Sequence, residues 1–151
     1  MFEKYGVFRT DLGPTPDSEI RNEDTEFSHR LLNAGERLRY EPSAVVYHAV
    51  PESRIQKKFL RRWNFDKARG DVRAFGIPSD ASWFVYGIPL NMVRRLARWA
   101  LQYMVTVNPQ RRFDCTLKMY RGAGYIAECR SLWRDARRKK RSNPEVLSNK
   151  L

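Results

Sequence analysis

Two adjacent carboxylates, Glu23 and Asp24, head a stretch in which Phe27, Leu31 and Leu32 recur at helical spacing. A carboxylate within hydrogen-bond reach of a hydroxyl is a natural general base. The same pair also suits a plainer role. Asn22 or Asp24 can cap the exposed first-turn amides, and Glu23, Asp24 and Glu26 would lie at the positive end of the helix dipole. On these residues alone, capping is the commoner use. His48 closes an apolar run, where an imidazole can ligate a divalent metal or simply hydrogen-bond at a strand end. Arg30 stands four residues after Glu26 and can pair with it or face a site. His29, among polar neighbours, reads as a surface residue.

The elements that would position these residues follow from punctuation and periodicity. Residues 11–18, DLGPTPDS, are a loop by composition, and the helix begun near Asn22 stops at Gly35. Pro42 turns the chain, and Ala44-Val45-Val46-Tyr47-His48 reads as a buried strand that Pro51 ends. Helical spacing returns over 53–70, with Ile55, Phe59, Leu60 and Trp63 apolar among many bases and Gly70 closing the segment. After a linker at 76–82, a long helix is expected over 83–107. On a wheel of about 100° per residue, its Asn91, Arg94, Arg95, Arg98 and Gln102 form one narrow stripe on an otherwise apolar cylinder. Asn108-Pro109 breaks that helix, and another follows over roughly 113–138, with Gly122 and Gly124 as a weak point. The remainder, from about residue 142, is a polar tail.

Composition narrows the class. With 151 residues, 42% hydrophobic and 13% aromatic, the chain is too apolar for a disordered tail. It has no apolar run near the roughly 20 residues of a spanning helix, and no signal-peptide pattern. Cys115 and Cys129 form neither a disulfide framework nor a spaced metal set, and read as reduced and structural. Charge is divided. Residues 1–53 carry 6 Lys/Arg against 10 Asp/Glu, whereas residues 54–151 carry 23 against 7. An acidic front suits chemistry on hydroxyls or cations, and a basic rear suits contact with polyanions. The location that fits is cytoplasmic, peripheral on the inner face of the plasma membrane.

One combined pattern is more specific than its parts. Asn22-Glu23-Asp24 through Ala34-Gly35, then Tyr40-Glu41-Pro42 and Val45-Val46-Tyr47-His48, resembles the segment of family 2 inverting glycosyltransferases in which a Glu-Asp pair opens a helix. In that family the helix ends in Ala-Gly and leads to a strand finishing in His. Phe2 to Phe8, around Gly6, resembles the family's preceding glycine-then-Phe segment. The resemblance covers about residues 1–75. It implies that Asp24 is the base on the acceptor hydroxyl with Glu23 beside it, and that His48 helps hold a divalent metal, Mn or Mg. Arg62-Trp63 falls where processive relatives carry Gln-x-x-Arg-Trp, so Arg62, Trp63 and Arg30 become acceptor-binding candidates. Phe59 replaces the glutamine, which points to transfer of a single sugar. Packing of Trp63 with Phe59 and Ile55 is the alternative.

No Asp-x-Asp occurs in the 151 residues, so the family's nucleotide-binding half is expected to be missing and the chain inactive alone. The fold class implied is α/β to α+β. Residues 1–75 would be the C-terminal part of a GT-A-like catalytic domain, including a sheet edge, and 83–141 an amphipathic helical region. The implied partners are a nucleotide-sugar donor and a glycan or lipid-linked acceptor of cell-envelope polysaccharide synthesis. The competing function is a basic, non-enzymatic module docking on anionic membrane or nucleic acid. No helix-turn-helix, zinc-finger or RNA-binding signature favours a specific nucleic acid.

Overall fold

The computed structural model describes residues 1–77 and 83–142. In chain order it forms α1 (Phe2–Tyr5), α2 (Glu23–Asn33), a 3-10 turn (Glu52–Ile55), α3 (Lys57–Phe75), β1 (Phe84–Val85), β2 (Ile88–Pro89), α4 (Leu90–Val105) and α5 (Pro109–Ser142). The content is α+β, mostly helical, with one small antiparallel sheet among the described residues. α5 is the spine against which both α3 and α4 pack. No helix among the described residues is long and apolar enough to cross a membrane.

The ends of the helices follow from local chemistry. Asn108 Oδ1 accepts from the amides of Gln110 and Arg111 at 2.9 and 3.1 Å, and Pro109 supplies a fixed φ where no amide is needed, so α5 starts there. α2 ends with Gly35 at φ +85°. The Gly35 amide donates to Leu32 and the Glu36 amide to Leu31, both at 3.0 Å, which satisfies the last carbonyls in a Schellman arrangement.

Four expectations are corrected. No strand forms over 44–48. Val45 and Val46 stand in solvent and Tyr47 is 97% exposed. A strand needs a neighbour to satisfy its backbone, and the one sheet among the described residues lies after residue 83. Secondly, Gly70 does not close a helix. α3 runs on to Phe75 and ends at Gly76, whose φ is +79°. Gly70 is instead a contact position, since a Cβ there would stand 2.5 Å from the Arg21 carbonyl. Thirdly, the apolar segment begun at residue 83 opens as a hairpin. Tyr86 and Gly87 both take positive φ, +50° and +78°, as a tight two-residue turn requires, and the Leu90 amide donates to Trp83 at 2.9 Å. Fourthly, Gly122 and Gly124 are not a weak point. α5 is continuous and buried there. A Cβ on Gly122 would come within 2.8 Å of Leu96, and one on Gly124 would collide with the backbone of Phe65. These glycines let α4 and α3 approach the spine.

The expected linker lies partly, and the polar tail almost wholly, outside the described residues. Of the α2 face read as buried, Phe27 and Leu31 are buried, whereas Leu32 is half exposed. Leu12 and Ile20 are buried with Phe27 and Leu31 in the front of the molecule, while Ala68, Val72, Cys115 and Cys129 line the interior of the helical part. Both cysteines are free, and burial pushes the Cys129 thiol above its ordinary pKa.

Candidate functional site

The start of α2 is built from a residue in an uncommon conformation. Asn22 precedes the helix with φ +99° and is only 5% exposed. It does not cap the helix with its side chain. Its amide instead donates to Asp71 Oδ1 on α3 at 2.7 Å, and its carbonyl oxygen lies 3.4 Å from Lys67 Nζ. Asparagine tolerates the left-handed region better than most residues, and two partners on α3 hold it there. The first turn of α2 is thereby fixed on α3.

Glu23 and Asp24 have different surroundings. Asp24 is exposed, and its Oδ1 accepts from the Thr25 amide at 2.7 Å and the Thr25 hydroxyl at 3.2 Å. Those local bonds orient the carboxylate and leave it open to a solvent-side hydroxyl. Glu23 is half-buried, with Oε2 out of solvent and without a hydrogen-bond partner among the described residues. Gly13 is a near neighbour of this carboxyl group: a Cβ there would stand 4.0 Å from Glu23 Cδ, an ordinary contact distance.

Trp63 belongs to the same neighbourhood. Lys67, one turn further along α3, has Nζ 5.9 Å from the Trp63 ring centroid as well as 3.4 Å from Asn22. A single lysine thus links the aromatic ring to the residue preceding Glu23. Trp63 is half-buried. Arg62 is half exposed and lies 3.8 Å from Asp66. Arg30 has another use. Its guanidinium donates to the carbonyls of Tyr5 at 2.6 Å and Val7 at 3.1 Å, and pairs with Glu26 at 2.9 Å, the pairing that the spacing offered. It fastens the N-terminal segment over Phe27, where Phe2 and Phe8 also stack. Tyr5 and Lys4 in turn reach Glu36, and the tyrosine hydroxyl, then the lysine, hold that carboxyl below its usual pKa.

His48 is exposed in the segment after Pro42. Among the described residues, no three or more His, Cys, Asp or Glu side chains converge as a metal seat. The described residues therefore offer no ready seat for a divalent ion around His48.

Sequence reading missed the charged residues that hold this site in place. Asp66 and Glu128 are buried. Asp66 accepts from the Glu19 amide at 2.8 Å and pairs with Arg69 at 3.2 Å. Glu128 takes Arg69 at 3.0 Å and Arg73 at 2.6 Å. Arg73 also donates to the Asp11 carbonyl at 3.3 Å, and its own carbonyl accepts from Arg9 at 3.0 Å. The loop that leads to α2 is thus bound at several points to the α3–α5 pair. Scarcity was the available signal, because acids are few in the basic rear and three of them, Asp66, Asp71 and Glu128, are engaged by cations.

Comparison of the chain with family models, with curated proteins and with solved structures gives no match.

Proposed function

We propose that this chain is the acceptor side of an inverting glycosyltransferase, with Asp24 as the base. The observation that carries the reading is the juxtaposition at the start of α2. An exposed, oriented carboxylate stands on a helix whose preceding residue is tied, through Lys67, to the neighbourhood of Trp63. An aromatic ring suits a sugar, whose apolar ring face stacks while its hydroxyls hydrogen-bond. In the reaction, the acceptor oxygen forms a bond to the anomeric carbon as the bond from that carbon to the nucleotide diphosphate breaks. The electron pair leaves with the diphosphate, and the hydroxyl proton passes to Asp24. Glu23, half-buried beside Gly13, adds negative charge next to the base. The donor, and any metal that its diphosphate requires, are held by residues outside these 151.

Acceptor binding tests this reading on the chain as it stands. Titration with oligosaccharides of differing composition, followed by NMR, is expected to move the Asp24 and Thr25 amides and the Trp63 indole N–H together, with one saturation curve. A glycan panel that leaves all three signals still, or moves only signals on α4 and α5, contradicts it.

A second reading is favoured by one further observation. Met92, Leu96, Trp99 and Tyr103 face α5, whereas Val93, Leu101, Met104 and Val105 of α4 are exposed, next to the exposed Arg94 and Arg98. An apolar face bordered by arginines suits the headgroup boundary of an anionic membrane. This docking is compatible with transfer to a lipid-linked acceptor and equally with a non-enzymatic module that docks on an anionic membrane.

A further inference from the structure

A cavity of about 430 Å³ opens between α3, α4 and α5, well away in sequence from Glu23 and Asp24. Its size falls within the range of ordinary small-molecule sites. The cationic lining comes from Arg95, Lys118 and Arg121, and Trp99, Tyr125 and Met92 supply apolar walls. Gly122 forms part of the wall, and a Cβ there would meet Leu96 at 2.8 Å and Trp99 at 3.2 Å. The missing side chain lets Leu96 and Trp99 close on α5 and complete that wall.

The cavity's charges do not cancel. Asp71 is its one carboxylate, and it is already in use. Arg121 takes Oδ2 at 3.0 Å, while Asn22 at 2.7 Å and Lys67 at 3.8 Å share Oδ1. Arg95 and Lys118 have no carboxylate partner among the described residues. Arg95 rests 6.0 Å from the Trp99 ring centroid, at the edge of cation–π range. Two unneutralised cations at the mouth of an aromatic, partly enclosed space select an anion, and guanidinium geometry matches phosphate. The apolar walls select what the anion is attached to.

We infer that this cavity binds a phosphate carried on an apolar or aromatic body, with Arg95 and Lys118 on the phosphate and Trp99 and Tyr125 against the body. The inference is independent of the transferase reading, since it needs neither Asp24 nor a sugar. The body could be an alkyl chain, as in a lipid phosphate, or a ring, as in a nucleotide, and the phosphate chemistry is common to both.

Calorimetric titration of the 151-residue chain distinguishes these sources. The probes are decyl phosphate below its micellar concentration, uridine monophosphate, decanol and inorganic phosphate. Either organic phosphate is expected to bind about ten-fold or more tightly than both inorganic phosphate and decanol. The tighter of the two identifies the body as chain or ring. Arg95→Gln with Lys118→Gln is expected to weaken that binding about ten-fold or more, in line with the loss of charge-assisted hydrogen bonds. Both side chains are exposed, so the double variant should keep its circular dichroism and Tm. Lys139→Gln with Lys140→Gln, at the far end of α5, makes the same change in net charge and should leave binding within about two-fold. The proposal is overturned if neither organic phosphate outbinds inorganic phosphate. It is equally overturned if the two double variants weaken binding alike, because net charge alone would then explain the affinity.

Discussion

The residue on which the proposed site depends most is Asn22, not either acid of the pair. It sits in the left-handed region, buried, with its side chain spent on Asp71 and Lys67. A β-branched residue there would meet backbone strain and also remove the 2.7 Å bond to Asp71 Oδ1, leaving that oxygen only Lys67 at 3.8 Å. Asn22→Val is expected to cost about 3 kcal/mol, summing strain and a lost buried bond. Urea unfolding measures it, and a loss below about 1 kcal/mol would show that α2 does not depend on this anchor. Sequence reading offered Asn22 or Asp24 as the cap and located α2 well, because acids, periodicity and Gly35 all agree there. It did not show where the Asn22 side chain goes, since both partners lie more than forty residues later.

At the scale of the elements, glycine carries two meanings that composition does not separate. Gly35 and Gly76 end helices through positive φ, whereas Gly70, Gly122 and Gly124 sit inside them. In isolation, an interior glycine costs about 1 kcal/mol against alanine. At Gly124 the backbone of Phe65 occupies the space of a Cβ, so the sign reverses. Gly124→Ala is expected to destabilise by about 1–3 kcal/mol, the range for overpacking, despite the better helix propensity. A stabilised protein on thermal or urea unfolding would mean that α3 and α5 do not cross there. The segment over 44–48 was misread for a related reason. Alternation and β-branching show what a strand would look like, but a strand also needs a partner. For α4, periodicity found one polar stripe on an otherwise apolar cylinder and could not tell which part of the apolar surface was covered. Its exposed face yields its own test in co-sedimentation with vesicles. Anionic vesicles should retain the chain better than neutral ones, and Arg94→Gln with Arg98→Gln should reduce retention at least ten-fold, at about 1 kcal/mol per arginine. Leu101→Ser with Met104→Ser should reduce it further. Equal, weak retention throughout would leave the face without a membrane role.

Across the whole molecule, the acidic front and the basic rear that composition separates are physically joined. Asp66 and Glu128, with Arg69 and Arg73 between them, form a buried charged seam, and the loop before α2 is bound to it through Arg9, Asp11 and Glu19. Removing one partner from such a seam leaves an uncompensated buried charge. The seam therefore sets where α2 stands relative to α3, and so where Asp24 stands relative to Trp63. The central claim is that Asp24 receives the proton of an acceptor hydroxyl. The most direct measurement is sugar transfer by a polypeptide that joins this chain to a donor-binding half, comparing wild type with Asp24→Asn. Asparagine keeps the shape and removes the base. The account predicts that kcat falls about 10²–10⁴-fold, the usual contribution of a general base, while the donor's dissociation constant stays within about three-fold. Turnover by Asp24→Asn close to that of wild type would contradict it and leave Asp24 as a first-turn acid of α2.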